Sequence, residues 1–572
     1  MFATGTKRPK GQLRCHNPYK SAAKARRNSY IRIHSFKCGR GRKTMQKFLC
    51  GVTVAALTLS ISHPLVAQSD VDQQLGNVHF KTSCNDVAQR RFDRAMRYQH
   101  SFWYTNAKEV FEEAIKADPT CAMAYWGIAL TLMDNPHSAI PRPNLAPGLA
   151  AMMKAREVGA KTERERDYID ALMVMYADYD NIPHAQRMRA LRDAQARVAA
   201  KYQDDDEAQI AYAITLNTSA DPNDKTYAQQ AKGAAILEPL SIRLPQHPGV
   251  THYLIHLYDY PATAQKGLDA ANRYAKIAPA APHAQHMPSH IYTRVGYWKE
   301  SIESNTASVN AAKAEKSVGN YLHAQDYMVY AHLQLAQDQQ ARAVMDEMKK
   351  ETEFKATVAA ADYALAASPA RYAIDRGDWD AASQLSVRPS GLNFAMAISH
   401  FARALGAARS GKPEAAKADI QKLAELRDKL REAKDNYWSE IVDIQRQVGM
   451  AWVLHAEGKY DEALKSMSAA ADAEDKTEKH AVTPGPLAPA RELYGFMLLD
   501  RSMAKEALAA FEATKAKEPN RFQGYAGAAK AADRLGDKDA ARQNYQLLVA
   551  LTANADTERP EVAGAKKYLA SN

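Results

Sequence analysis

Between residues 247 and 290 the chain carries His247, His252, His256, His283, His286 and His290, six of its 18 histidines. The text reads HPGVTHYLIHLYDYP and, one helix later, APHAQHMPSHIYTR. Two pairs are His-x-x-x-His: His252 with His256 and His286 with His290. On a helix, four-residue spacing sets both imidazoles on one face, where they can chelate a transition metal. Zinc is the first cofactor this pattern suggests, and copper or nickel accepts the same atoms. The rings must be neutral to ligate, so an exposed site would lose metal as pH falls through about 6.5. Two other readings compete: polar contacts or acid–base work with a ligand, and structural histidines that bond nearby carbonyls. Pro248 and Pro288 mark helix starts, and His247 and His283 are expected in turns with structural roles. No His-Glu-x-x-His, phosphate loop or Gly-x-Ser-x-Gly elbow accompanies the pairs.

These pairs need helices in a fixed register, and the chain supplies a repeat. Ala88–Pro119 fits a helix pair with Tyr98 in the first helix and Ala107, Phe111 and Ala114 in the second. Glu506–Pro519 repeats the arrangement with Ala507, Phe511 and Thr514, and Ala541, Tyr545 and Leu548 repeat it again. Between these ends, a turn glycine, an aromatic and a small residue recur as Gly377-Asp378-Trp379 before Ala382 and Gly458-Lys459-Tyr460 before Ala463. Gly296-Tyr297-Trp298 before Ser301 is the same device. The small residue admits close helix approach. The period predicts an all-α, right-handed α-solenoid of tetratricopeptide-type helix hairpins. Thr162 to Glu165 is a capping box opening a helix through Tyr179. Insertions are expected near 426–445 and 473–487.

In such a solenoid the first helix of each pair lines a concave groove. His286 and His290 hold the same offsets from Ser301 as Asp326 and Tyr330 hold from Ala341, with His323 one turn earlier. The register therefore gathers His252, His256, His286 and His290 as candidate ligands of one shared metal. His323, Asp326 and Tyr330 line the groove beside them, and Asp259 joins from a helix end. A second patch, His100-Ser101-Phe102-Trp103-Tyr104 with Tyr125-Trp126, reads as aromatic filling between helices.

The formal net charge of +11 would suggest nucleic acid, but fourteen of the 76 Lys and Arg, and none of the 65 Asp and Glu, lie in residues 1–67. The remainder is slightly acidic, which argues against a nucleic-acid partner. Within that leader, residues 45–67 read as a signal peptide: Lys47, an apolar stretch from Phe48 to Ser62, Pro64 and small residues ending at Ala67. Residues 1–44 read as the product of an upstream start codon. The expected location is periplasmic or secreted, with no membrane span once the signal is removed. Beyond the leader the cysteines are Cys84 and Cys121, one repeat length apart, and in an oxidising compartment they are candidates for a disulfide. The domain reading is 80–240 as an N-terminal helical region, 241–350 as the His-rich repeats and 351–572 as the C-terminal repeats.

The HSFWY and Asp118-Pro119-Thr120-Cys121-AMAYWG block, HPG-x-x-H-Y-x-I-H, HMPSHI and the C-terminal EALAAFE with EPNRFQGYAGAAKAA resemble a group of secreted bacterial tetratricopeptide-repeat proteins over roughly residues 80–555. The resemblance implies fold and compartment and no assigned reaction, so no catalytic residue follows from it. The expectation is an exported scaffold, not an enzyme, binding a peptide, protein or small polar ligand in its groove. The alternative is a metal-binding protein or metal-dependent enzyme built on the paired histidines. N-terminal sequencing of the exported chain should begin near Gln68; retention of residues 1–44 would overturn the leader reading.

Overall fold

The computed structural model describes residues 74–351 and 358–571. The leader lies outside the described residues. The chain divides into two units, 1–62 and 63–572, and the described residues all belong to the second. Among them are twenty-six α-helices, one short 3-10 turn at Ala264–Gly267 and no strand. Each helix packs on its successor, the pattern of stacked hairpins. No described helix is long and apolar enough to cross a membrane.

The small residues expected at helix crossings are where the helices touch. Ala107, Ser301, Ala341, Ala382, Ala416, Ala463, Ala507 and Ala541 are all fully buried. The ends of the stack share one further device. The Phe111 ring fills the space where a Cβ on Gly127 would stand, 2.4 Å from it, and Phe511 fills the space beside Gly495 and Gly527. Burying these rings whole is worth about 1.5–3 kcal/mol each.

Two local expectations need correction. The Thr162–Glu165 capping box is present, but its helix ends at Met173, not Tyr179. There Met175 and Tyr176 bond back three residues instead of four, and the Tyr176 hydroxyl donates to the Ala129 carbonyl at 2.5 Å. The stretch 426–445 is no insertion: helices Pro413–Glu432 and Asn436–Ala456 run through it, joined by a tight turn. Residues 476–489 do form a loop, and its position matters most.

That loop and the C-terminal repeats cover the central helices, so the concave face expected to be an open groove is filled. The Tyr327 hydroxyl donates to the Thr483 carbonyl at 3.1 Å, and Arg371 donates to the Pro486 and Gly485 carbonyls. Trp298 Nε1 donates to the Asn520 carbonyl at 2.8 Å. The Asp556 carboxylate accepts the backbone N–H groups of Gln339 and Gln340. Gly296 ends its helix at φ 72°, and a Cβ there would stand 2.5 Å from the Pro519 carbonyl. Only glycine satisfies both demands.

Cys84 and Cys121 are joined as a disulfide, with Cα atoms 4.9 Å apart. It ties the start of helix Asp86–His100 to the start of helix Ala122–Leu132. Gly127→Ala drives a methyl into the Phe111 ring and should lower the unfolding free energy by about 1–3 kcal/mol in urea titration. An unchanged midpoint would show that the ring swings aside freely.

Candidate metal centre

Helix Pro248–Tyr258 is buried along its whole length. His247 caps it by accepting the Val250 N–H on Nδ1, and Pro248 takes the first position, where no N–H is needed. His252 and His256 stand one turn apart on one face. The second histidine stretch forms two short helices, Pro282–His286 and Pro288–Val295. Met287 between them keeps helical angles, and Pro288, lacking an N–H, interrupts the hydrogen-bond ladder. His323 comes from helix Val318–Gln334.

These elements bring six imidazoles toward one region, in two groups of three. His252 Nε2 lies 3.1 Å from both His256 Nε2 and His283 Nε2. His286 Nε2 lies 3.0 Å from His290 Nε2, with His323 completing that set. Within each triad the ligand atoms all lie within 4.8 Å of one another. The triads are neighbours: the His256 and His290 rings are 6.2 Å apart, and those of His283 and His286 6.3 Å. The four histidines expected to share one site are therefore divided between two, each pair joined by a third ring. His283, expected to be a structural turn residue, completes the first triad.

For three of the rings the far side fixes where the proton sits. His252 Nδ1 donates to the His100 carbonyl at 2.7 Å. His290 Nδ1 donates to Asp259 Oδ2 at 2.9 Å. His286 Nδ1 donates to Asn305 Oδ1 at 2.6 Å, and the Asn305 amide is oriented by donating its own N–H to the Ser301 carbonyl. In the neutral ring a proton on Nδ1 leaves a lone pair on Nε2. The rings are neutral: burial pushes His252 and His323 down to about 3. Burial also lowers His256, His283 and His286 well below the usual value, with neighbouring imidazoles adding to it. The pH threshold near 6.5 expected for exposed histidines does not apply to such rings. His286 and His290 thus point lone pairs at each other.

Asp259 caps the C-terminus of helix Pro248–Tyr258. Its Oδ2 accepts Lys479 Nζ at 2.8 Å and its Oδ1 accepts Arg294 Nε at 2.9 Å. Burial alone would raise this carboxyl, but Lys479 and Arg294 hold it well below the usual carboxylate range. It stays ionised beside the second triad and orients His290, the common arrangement behind a metal-ligating imidazole.

Asp326 and Tyr330 do not line a groove. Asp326 is fully buried against Arg371 and Ser368, and the Tyr330 hydroxyl accepts from Arg521 at 2.8 Å. They face the interior because residues 476–489 and the C-terminal repeats pack over this side. Two neighbours had no periodic signal. His137, in the loop after helix Ala122–Leu132, sets its ring 4.2 Å from that of His256, and its buried Nε2 has no partner. Phe102 lies over the first triad, 4.4 Å from His252 and 5.1 Å from His283 between ring centres. The aromatic patch of the first repeat is in part the wall of this centre.

A third cluster, His100 with Glu207 and His247, differs in its protons. His247 Nδ1 accepts from Val250, so its Nε2 carries the hydrogen and donates it to Glu207 at 3.0 Å. Every atom there has a complementary partner, and the group is a satisfied hydrogen-bond network.

Residues 89–121 match the family model described as Tetratricopeptide repeat. No curated protein sequence matches the chain. Among solved structures, the chain is similar to the APC/C hetero-tetramer Cut9–Hcn1 at 12% identity, over 88% of this chain and 82% of that one, with a TM-score of 0.35. It is similar to yeast Tom70 at 12% identity, over 85% and 96% of the two chains, with a TM-score of 0.27. Both overlays are loose.

Asp259→Ala would leave Arg294 and Lys479 buried without their carboxylate. The unfolding free energy should fall by about 3–5 kcal/mol in urea titration of metal-free protein. A loss below about 1 kcal/mol would show that the two cations find other partners.

Proposed function

We propose that this chain is a binuclear metalloprotein holding two transition-metal ions side by side, one on His252, His256 and His283, the other on His286, His290 and His323. One observation carries the reading: His286 Nε2 and His290 Nε2 face each other at 3.0 Å while both Nδ1 protons are committed elsewhere. Two imidazole lone pairs repel at that distance, and a cation shared between them removes the conflict. An ion about 2.0–2.1 Å from each nitrogen asks for only a small opening of the pair. The buried, unpartnered His323 Nδ1 and His137 Nε2 add imidazole donors nearby. Neither triad contains a carboxylate, a donor set that suits copper or zinc and not magnesium, calcium or manganese. Three protein ligands per ion leave a position open, where water or a substrate can be activated.

The tetratricopeptide match over 89–121 also supports reading the chain as an interaction scaffold. Repeat stacks present extended surfaces to protein partners. Because the central concave face is filled, we assign any such partner to the outer faces of the stack. Export belongs to the same proposal. The signal-like 45–67 segment and the Cys84–Cys121 bridge both suit an oxidising compartment.

The reading predicts a stoichiometry. Untagged chain loaded with copper or zinc and then desalted should carry two ions per molecule by elemental analysis. His283→Ala and His323→Ala should each carry one, and His247→Ala, outside both triads, should carry two. Wild-type protein that retains no ion, or single variants that lose both or neither, would refute the two-site reading.

A further inference from the structure

The two triads share a support. His283 and His286 stand one turn apart on the short helix Pro282–His286 and serve different triads. Across the triads, the rings of His256 and His290 are 6.2 Å apart and those of His283 and His286 6.3 Å. Little space is left around them: His252, His256, His286 and His290 are 0, 6, 2 and 2% exposed. Each triad also has one aromatic ring against all three of its imidazoles. Phe102 lies 4.4, 5.8 and 5.1 Å from His252, His256 and His283. Tyr327 lies 4.7, 5.3 and 5.2 Å from His286, His290 and His323. Neither ring has a proton to spare, because Phe102 carries none and the Tyr327 hydroxyl donates to the Thr483 carbonyl at 3.1 Å.

Charge decides which ion suits such a place. Both triads consist of neutral imidazoles alone. Asp259 is already matched by Lys479 and Arg294, and Glu478 beyond it by Arg294 at 3.7 Å and Lys225 at 3.3 Å. No anionic charge is left over for a metal. The cost of burying charge rises with its square. Two divalent ions bring four charges, and two copper(I) ions bring two. Copper(I) accepts imidazole nitrogen and is stable with three ligands.

We propose that the centre holds two copper(I) ions and binds one dioxygen molecule between them, an inference that rests on the two-ion reading. Each copper(I) gives up one electron, the π bond of dioxygen is lost, and each oxygen forms a bond to one copper. Dioxygen becomes the peroxide dianion, and both coppers become divalent. The ions gain two positive charges while the ligand takes on two negative ones, so the buried charge is unchanged. No proton is required. A small neutral diatomic also suits the tight, aromatic walls better than a charged or bulky ligand does.

The test uses the full untagged chain, freed of metal by a chelator and loaded with copper(I) under nitrogen. Copper is counted by elemental analysis before dioxygen is admitted. An oxygen electrode should record one dioxygen taken up per two coppers. A new absorption band should appear, and the O–O stretch excited in it should shift when heavy-isotope dioxygen is used. The oxygenated sample should give no copper(II) paramagnetic resonance signal, because a ligand shared by both ions couples their spins. Zinc-loaded chain, whose ions have no electron to give, should take up none. His283→Ala and His323→Ala, each holding one copper, should lose the uptake. The isotope shift and the spin count are read on wild-type chain, so they stand whether or not a variant folds. Two bound coppers without uptake, or uptake that leaves two separately visible copper(II) signals, would overturn the dioxygen assignment and leave the two-ion reading intact. Fewer than two coppers per chain would overturn the two-ion reading, and this inference with it.

Discussion

The Asp259 carboxylate is the interaction on which the centre depends. It ends the helix that carries His252 and His256, orients His290, and receives Arg294 from helix Pro288–Val295 and Lys479 from the loop that covers the site. Taking a carboxylate and two cations out of water costs several kcal/mol per ion, and only close, multiple pairing offsets it. That pairing draws three chain segments to one atom group. Burial works against a proton on His290, Lys479 and Arg294 add to that, and the hydrogen bond to Asp259 opposes it.

Small residues do more here than admit close helix approach. At the crossing that other repeats fill with alanine, Ser301 is present, and its backbone carbonyl receives the Asn305 side chain. That bond turns the Asn305 oxygen toward His286. An amide held from behind in this way selects one imidazole tautomer out of two. The repeat register and the proton arrangement of the centre therefore share one turn of helix Trp298–Ala314.

The repeat was legible because its signals are local. Crossing alanines, turn glycines and paired histidines recur at fixed spacings, and those spacings survive folding. His252, His256, His286 and His290 were visible for the same reason. Their division into two groups was not, since it depends on helix Pro282–His286 setting His283 beside one pair and His286 beside the other. His283 lies three residues before His286, a spacing that also shares a helix face, and that signal could have found it. His137 sits in a loop without periodicity. The burial of Asp326 and Tyr330 reflects contacts with distant residues, Asp326 with Ser368 and Arg371 and Tyr330 with Arg521. A register argument assumes an open stack and cannot see such partners.

Stacked repeats usually fold as a one-dimensional series, each unit answering only to its neighbours, so that ends fray and segments melt piecemeal. Here the Asp556 carboxylate is seated on Gln339 and Gln340, and Asn520 meets Gly296 and Trp298. These contacts span more than two hundred residues of chain. They turn a linear array into a closed circuit whose loop-closure entropy must be met before the last contacts form. The chain should accordingly melt as one cooperative unit, and the histidine centre should be complete only when the final repeats have docked.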